Sequence, residues 1–416
     1  MNKMLSFFPL MLILFVHPIT AEGKKLKVYI LAGQSNMQGM AKGKTLSYMK
    51  LDQKTRELHD KMVDVSGNVK RHENVRIVGF SGQSAKEATS KSGPLTIGYG
   101  GALDNRLFGP ELSFGITMGE HVKEPILIIK TSWGGKNLHT DFRSPSAGPY
   151  RLPDSVEKSW ENNSEGGNGI PPKIDRETWW KSKIESTGAY YRLMMKCVKE
   201  VLQNPSKVCP TYDDKSGYEI AGFVWFQGWN DMGDRMNYPK AEGNRYRPYG
   251  DLLSHFIRDV RKDLNSPQMP FVIGVMGVDG KDNRMEFREG MAEPASREEF
   301  MNNVIAVETA PFWDETLGDF GLSARKFKYQ SLREWGNVSK TMSQEEIRKK
   351  YPGHAALTYS HKRRKELMLE KFGKEKLALL SLGTSNAPYH YMGAAKILAP
   401  IGEAFAHALI DSSRGN

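Results

Sequence analysis

The chain has 416 residues, 39% of them hydrophobic and 26% charged, with 40 Gly, eight Trp and a net charge of +11. That content describes a folded globular protein, and without heptads, repeats or low-complexity tracts it excludes a disordered chain, a coiled coil, a solenoid or a fibre. The 59 Lys and Arg occur throughout the chain with no nucleic-acid-binding module among them; a solvated basic surface is expected, with an acidic or sulfated glycan the next partner class and nucleic acid excluded.

In chain order, Lys3 and the apolar run Leu5–Val16, followed by the small Ala21, read as a secretory signal peptide over 1–21. The run is too short to span a bilayer comfortably and no later segment is apolar enough. A soluble secreted or periplasmic protein, not inserted in a membrane after cleavage, is expected from residue 22 on. A buried strand is predicted over Lys27–Ala32, ending in Gly33-Gln34-Ser35-Asn36-Met37-Gln38-Gly39. Gly33 permits a tight turn there, and Ser35 can either present its hydroxyl at the sheet edge or cap a helix. Pro110 opens a helix reaching Val122, and Pro125–Lys130 is a second strand, ending in Trp133-Gly134-Gly135. Paired glycines there expose backbone N–H groups that can bind an oxyanion or simply make a turn.

Residues 136–180, rich in Gly, Pro, Asn and Trp, form a long loop excursion. A helix over 187–202 precedes the third strand, Ile220–Phe226, which ends in Gln227-Gly228-Trp229-Asn230-Asp231. Gln227 and Asn230 are side-chain donors; Asp231 can orient an imidazole, or it and Asn230 can cap a helix. A helix over 249–264 leads to strands Phe271–Met276 and Val304–Thr309. Residues 317–380 are helix-prone and strongly basic, and read as an insertion. His390 stands in Tyr389-His390-Tyr391, just before a last helix over 394–409, where it can serve as a general base; His139 is its main competitor. Trp133, Trp229, Tyr389, Tyr391 and Gln34 would surround the Ser35 hydroxyl, and Arg143 and Lys136 could read an anionic group on a glycan or form surface ion pairs. Cys197 and Cys209 could form one disulfide or stay free. Alternating strands and helices imply an α/β/α sandwich with a parallel five-stranded sheet, one domain with insertions near 136–180 and 317–380. No metal or organic cofactor is expected: His-Glu-x-x-His is absent, and Gly98-Tyr-Gly-Gly101 does not follow a strand.

Gly33-x-Ser35, the Gly134 loop, Gly228-Trp-Asn-Asp231 and a late His resemble, in that order, the four blocks of the SGNH hydrolase superfamily. More narrowly, Gly33-Gln-Ser-Asn-Met37, Trp133-Gly-Gly135 and Trp225-Phe-Gln-Gly228 resemble the sialate O-acetylesterase (SASA) domain family, related to carbohydrate esterase family 6. The resemblance spans residues 27–409, least over 317–380. It implies a flavodoxin-like sandwich and two-step hydrolysis of O-acetyl groups on carbohydrates. Ser35 would be the nucleophile and His390 the base; the oxyanion hole would be the Ser35 N–H, that of Gly134 or Gly135, and the side chain of Gln227 or Asn230. Two acids are missing: the SGNH pattern has Asp three residues before the His, where Ala387 stands here, and the family 6 esterases carry an acid after the Gln-Gly pair, where Trp229 stands here. Asp231 is the first candidate for the third triad member, a Ser-His dyad the second. A glycan-binding protein without catalysis, and an esterase of short non-sugar acyl groups, are the alternatives.

Overall fold

The computed structural model describes residues 24–154, 175–210, 212–280 and 283–414. The expected signal peptide and residues 155–174 of the 136–180 excursion lie outside them. One sheet holds seven strands: β1 Leu26–Gly33, β2 His72–Ser81, β3 Thr89–Leu95, β4 Ile126–Ser132, β5 Tyr218–Phe226, β6 Phe271–Val275 and β7 Val304–Glu308. Their spatial order is β3-β2-β4-β1-β5-β6-β7, parallel throughout except for the β2–β3 hairpin.

The five strands expected from apolar runs are the contiguous block β4-β1-β5-β6-β7, which has the flavodoxin-like order 2-1-3-4-5. The five-stranded sheet is corrected to seven. The two extra strands lacked the signal of a strand buried on both faces. β2 opens on the polar His72-Glu73-Asn74, and β3 reads Thr-Ser-Lys-Ser-Gly-Pro-Leu, polar and interrupted by Gly93 and Pro94 as an edge strand tolerates.

Successive side chains on a strand point to opposite faces, and β5 displays both layers. Phe223 and Trp225 meet Phe256 at ring-centroid distances of 5.9 and 4.4 Å, seating α3 (Arg247–Asp263) on one face; Tyr191 of α2 (Ala189–Gln203) meets the same ring. Gly222 and Phe226 face Leu409 and Phe405 of α6 (Ala395–Arg414) on the other, where α1 (Glu111–His121) lies beside it. The core of β1, Val28–Ala32, is buried on both sides. Cys197 and Cys209 are both free and buried, and burial pushes their thiols up to about 12 and about 11.

Residues 317–380, expected to be an insertion, form a helical arm. α4 (Glu315–Thr341) and α5 (Ala355–Phe372) pack together, joined by the short helix Gln344–Lys350. Trp335, Tyr351 and Tyr359 form an aromatic cluster between them, with centroids 5.4–5.6 Å apart. Among the described residues, no helix is long and apolar enough to cross a membrane.

Candidate active site

β1 pairs with both β4 and β5, with a register shift against β5 at Val28/Tyr29, and at its end Gly33 lies level with Ser132 on one side and Phe226 on the other. The segments following all three strands therefore leave the sheet at the same height, at the switch point where ligands bind in open α/β sheets. A Cβ on Gly33 would lie 2.2 Å from the Phe226 carbonyl oxygen at φ +155°, so only glycine fits this turn. Ser35 opens the single helical turn Ser35–Gln38 and is 6% exposed. The first N–H groups of a helical turn have no intrahelical acceptor, which leaves the Ser35 N–H available to a developing oxyanion. A Cβ on the exposed Gly134 would stand 3.8 Å from Ser35 Cβ, so Gly134 is the glycine beside the hydroxyl; Gly135 has φ +73° and open space around it.

Gln34 joins two of the segments. Its Oε1 accepts from Gly228 N at 3.0 Å and Gln227 Nε2 at 3.2 Å, and its Nε2 donates to Asn230 Oδ1 at 3.0 Å and reaches Ser35 Oγ at 3.5 Å. Gln34 is wholly buried and therefore a scaffold for the turn, correcting its expected substrate contact. The bond through Oδ1 turns the Asn230 amide so that Nδ2 is its free end. Gln227 is corrected as an oxyanion donor: its Nε2 also donates to Asp231 Oδ2 at 2.6 Å and to the Lys136 carbonyl at 3.0 Å, and the side chain is wholly buried. Of the two candidate amides, Asn230 remains.

Asp231 is not a partner of His390. Its carboxylate accepts from Leu138 N, His139 N, Tyr238 Oη and Gln227 Nε2, at 2.6–3.2 Å. Burial pushes it up to about 6, against these hydrogen bonds, which pull it down. It anchors the 136–139 segment that follows Gly134 and Gly135. His139 is removed as a competitor base: its ring packs edge-on against Tyr150 and Tyr238, and burial pushes it down to about 3.

His390 sits in the turn Pro388–Gly393, which packs against the Ser35–Gln38 turn. Ser385 Oγ fastens this turn by donating to the Met40 carbonyl at 2.8 Å and accepting from Lys42 N at 3.1 Å. His390 Nδ1 lies 2.9 Å from Asn386 Oδ1, and that oxygen also accepts from Ala387 N at 2.7 Å. A backbone N–H needs an acceptor, so the Asn386 atom is the oxygen and His390 must carry its proton on Nδ1. Nε2 is then the unprotonated nitrogen. Burial lowers His390 to about 4. Asn386 was missed because the acid pattern directs attention to position 387; an amide one residue earlier was the available signal.

The expected aromatic ring around Ser35 divides. Trp229 and Tyr389 are half-buried at the mouth, 5.8 Å apart, with Tyr389 4.4 Å from the His390 ring. Trp133 and Tyr391 are wholly buried and corrected to core residues; the Tyr391 hydroxyl accepts from Gly277 N at 2.9 Å. Arg143 is likewise corrected: its guanidinium donates to the carbonyls of His139, Ala147 and Gly148 and so braces its own loop. Lys136 lies over the Tyr190 ring at 4.4 Å and 3.8 Å from Asp141.

The arrangement thus offers a hydroxyl, an imidazole with a fixed tautomer, and three N–H donors at one sheet edge. A search of curated proteins finds no match. Among solved structures, the chain is 18% identical to a protein from Arabidopsis thaliana, covering 68% of this chain and 85% of that one, with a TM-score of 0.36. It is 13% identical to XAC1771, a carbohydrate acetylesterase from Xanthomonas citri, covering 68% and 49% with a TM-score of 0.35. With NanS the identity is 12%, the coverage 69% and 78%, and the TM-score 0.37. The family described as carbohydrate esterase, sialic acid-specific acetylesterase matches residues 25–316, most of the chain, and the protein belongs to it.

Proposed function

We propose that this protein is an exported serine esterase that removes O-acetyl groups from a carbohydrate, of the sialate or xylan type, through an acetyl-serine intermediate. The observation that carries the reading is the His390–Asn386 bond, which leaves Nε2 as a base on a turn packed against the Ser35 turn. Nε2 takes the Ser35 proton as Oγ attacks the acetyl carbonyl. The tetrahedral oxyanion is held by the N–H groups of Ser35 and Gly134 and by Asn230 Nδ2. The sugar oxygen leaves with the proton held by His390, and water, deprotonated by the same nitrogen, releases acetate. An amide in place of the usual carboxylate can orient an imidazole, as in cysteine–histidine–asparagine sites. Trp229 and Tyr389 offer ring faces to a sugar at the mouth. Export is supported by Lys3 and the apolar run Leu5–Val16.

Acetate release from an aryl acetate, acetylated xylan and O-acetylated sialic acid, with wild type and Ser35→Ala in parallel, tests the proposal. Wild type should turn over, and the variant should fold but lose on the order of 10³-fold or more in kcat. Equal rates in the two proteins would refute it. Glycan binding without acetate release would favour the binding-protein reading. Faster release of butyryl than acetyl groups would favour a non-sugar esterase.

A further inference from the structure

The helical arm concentrates the charge of the chain. Residues 317–380 hold fifteen Lys and Arg against seven Asp and Glu, eight of the net eleven charges. Packing sorts them. Arg363 bonds Glu334 and Glu366 at 3.1 and 3.3 Å and lies 3.6 Å from Glu370, and Lys371 bonds Asp319 at 2.6 Å, so these acids are taken up between α4 and α5. Arg325, Arg333 and Lys340 of α4 are exposed, and among the described residues none has an ion-pair partner. At 100° per residue these three and Tyr329 fall within about 80° of the helix circumference, and the stripe from Leu322 to Lys340 is about 27 Å long. Tyr329 is 53% exposed, between Arg325 and Arg333 at four-residue spacings, and Arg325 lies 5.9 Å from its ring.

This stripe begins beside the site. A Cβ on Gly321 would touch Pro388 and Met392 of the His390 turn. A cavity of about 410 Å³ opens between Trp313, Asp279, Glu315 and Leu322. Asp279 is bonded to Arg284, whose guanidinium stands 5.3 Å over Trp229 at the site mouth. Tyr389, Trp229 and Arg284 thus lead from His390 to the foot of α4.

We propose that the outer stripe of α4 is a binding track for an anionic polysaccharide, one of whose acetylated residues enters the Ser35 site; the second half rests on the esterase reading above. Carboxylate or sulfate groups would pair with Arg325, Arg333 and Lys340, and a sugar face would stack on Tyr329.

The test compares the full chain with Arg325→Gln/Arg333→Gln/Lys340→Gln, and with Tyr329→Ala. The probes are unacetylated polygalacturonate in affinity electrophoresis, and O-acetylated polygalacturonate, acetylated xylan and an aryl acetate in kinetics. The triple variant should lose retardation by polygalacturonate. Its KM for the acetylated polyanion should rise roughly tenfold at low salt, an advantage of the wild type that added salt erases. Kinetics on xylan and aryl acetate should not change. Unaltered retardation, an equal KM rise on neutral xylan, or wild-type binding to phosphatidylglycerol vesicles but not to polygalacturonate would overturn the track. A wild type inert toward aryl acetate would sink the esterase reading alone, and retardation would still decide the track.

Discussion

Lys130 Nζ and Glu111 Oε2 meet at 2.6 Å beneath the Ser35 turn, with their side chains 1% and 0% exposed. The same ammonium donates to the carbonyls of Gln38 and Tyr99 at 2.8 Å, and Glu111 Oε1 accepts from Gly109 N at 2.9 Å. Lys130 is therefore coordinated on three sides, and one of its bonds fixes the last residue of the turn that carries Ser35. Burial lowers the Lys130 ammonium and Glu111 opposes that. Removing one charge strands the other in the core, so Lys130→Met should cost about 3–5 kcal/mol in urea unfolding. Lys130→Met/Glu111→Leu, which strands none, should recover much of that stability and still show reduced kcat, because the Gln38 carbonyl has lost its donor. Full activity in the double variant would show that the pair acts on stability alone.

In the proposed mechanism His390 sets the pH dependence. A general base works unprotonated, and with His390 lowered to about 4 the acid limb of kcat/KM should lie near pH 4, well under the ordinary histidine value. Asn386→Asp places a carboxylate where the amide oxygen stands. It favours the imidazolium and should move that limb to higher pH. Asn386→Ala leaves Nδ1 without its acceptor, and kcat should fall on the order of 10–100-fold with KM little changed. A limb at the same pH in wild type and Asn386→Asp would show that the amide does not act on His390.

These sites were unequally legible. The five central strands were readable because burial on both faces demands continuous apolar runs, and the order of the motifs then fixes which strand ends meet. The β2–β3 hairpin was not, since an edge strand needs few apolar residues. Ser35, Gly134, Asn230 and His390 stood out because they are small or polar residues immediately after strands or before a helix, and the structure brings their segments to one edge. Asp231 and Arg143 were misread for a common reason. A charged side chain near a motif looks like a functional group, but in the fold backbone N–H or carbonyl groups of residues 136–148 already satisfy it.

Asp231 makes its own pH prediction. Its folded value, about 6, lies above the ordinary 3.8, so between those pH values the folded chain holds a proton that the unfolded chain has lost. Its contribution to stability is present below that window, is lost as pH rises through it, and amounts to on the order of 2–3 kcal/mol. His390, lowered from 6.5 to about 4, has the opposite sign: its contribution is lost as pH falls through that range. The two oppose each other in wild type. Asp231→Asn leaves the His390 contribution unopposed, so the stability of the variant should climb more steeply than that of wild type between pH 4 and 6. Parallel stability curves would rule out a titrating Asp231.

Gly134 discriminates most sharply between a donor and a turn. An added Cβ would lie 3.1 Å from Gln38 Oε1 and 3.8 Å from Ser35 Cβ, and the glycine is not among those with positive φ. Gly134→Ala therefore meets no backbone strain, and the first contact is the end of a flexible side chain; the loss of stability should stay under about 1 kcal/mol. The methyl group would nevertheless stand beside the hydroxyl, in the space where an acetyl carbonyl must turn tetrahedral under the Gly134 N–H. Losing one such donor costs about 10²-fold or more in kcat in comparable sites. The expected result is a folded variant with much reduced kcat on aryl acetate, where no sugar contact contributes. Gly135→Ala is the control, because its φ of +73° strains alanine but nothing surrounds the new methyl group. It should lose stability and keep its rate. The reverse pattern, with Gly135→Ala the slower enzyme, would transfer the donor role from Gly134 to Gly135.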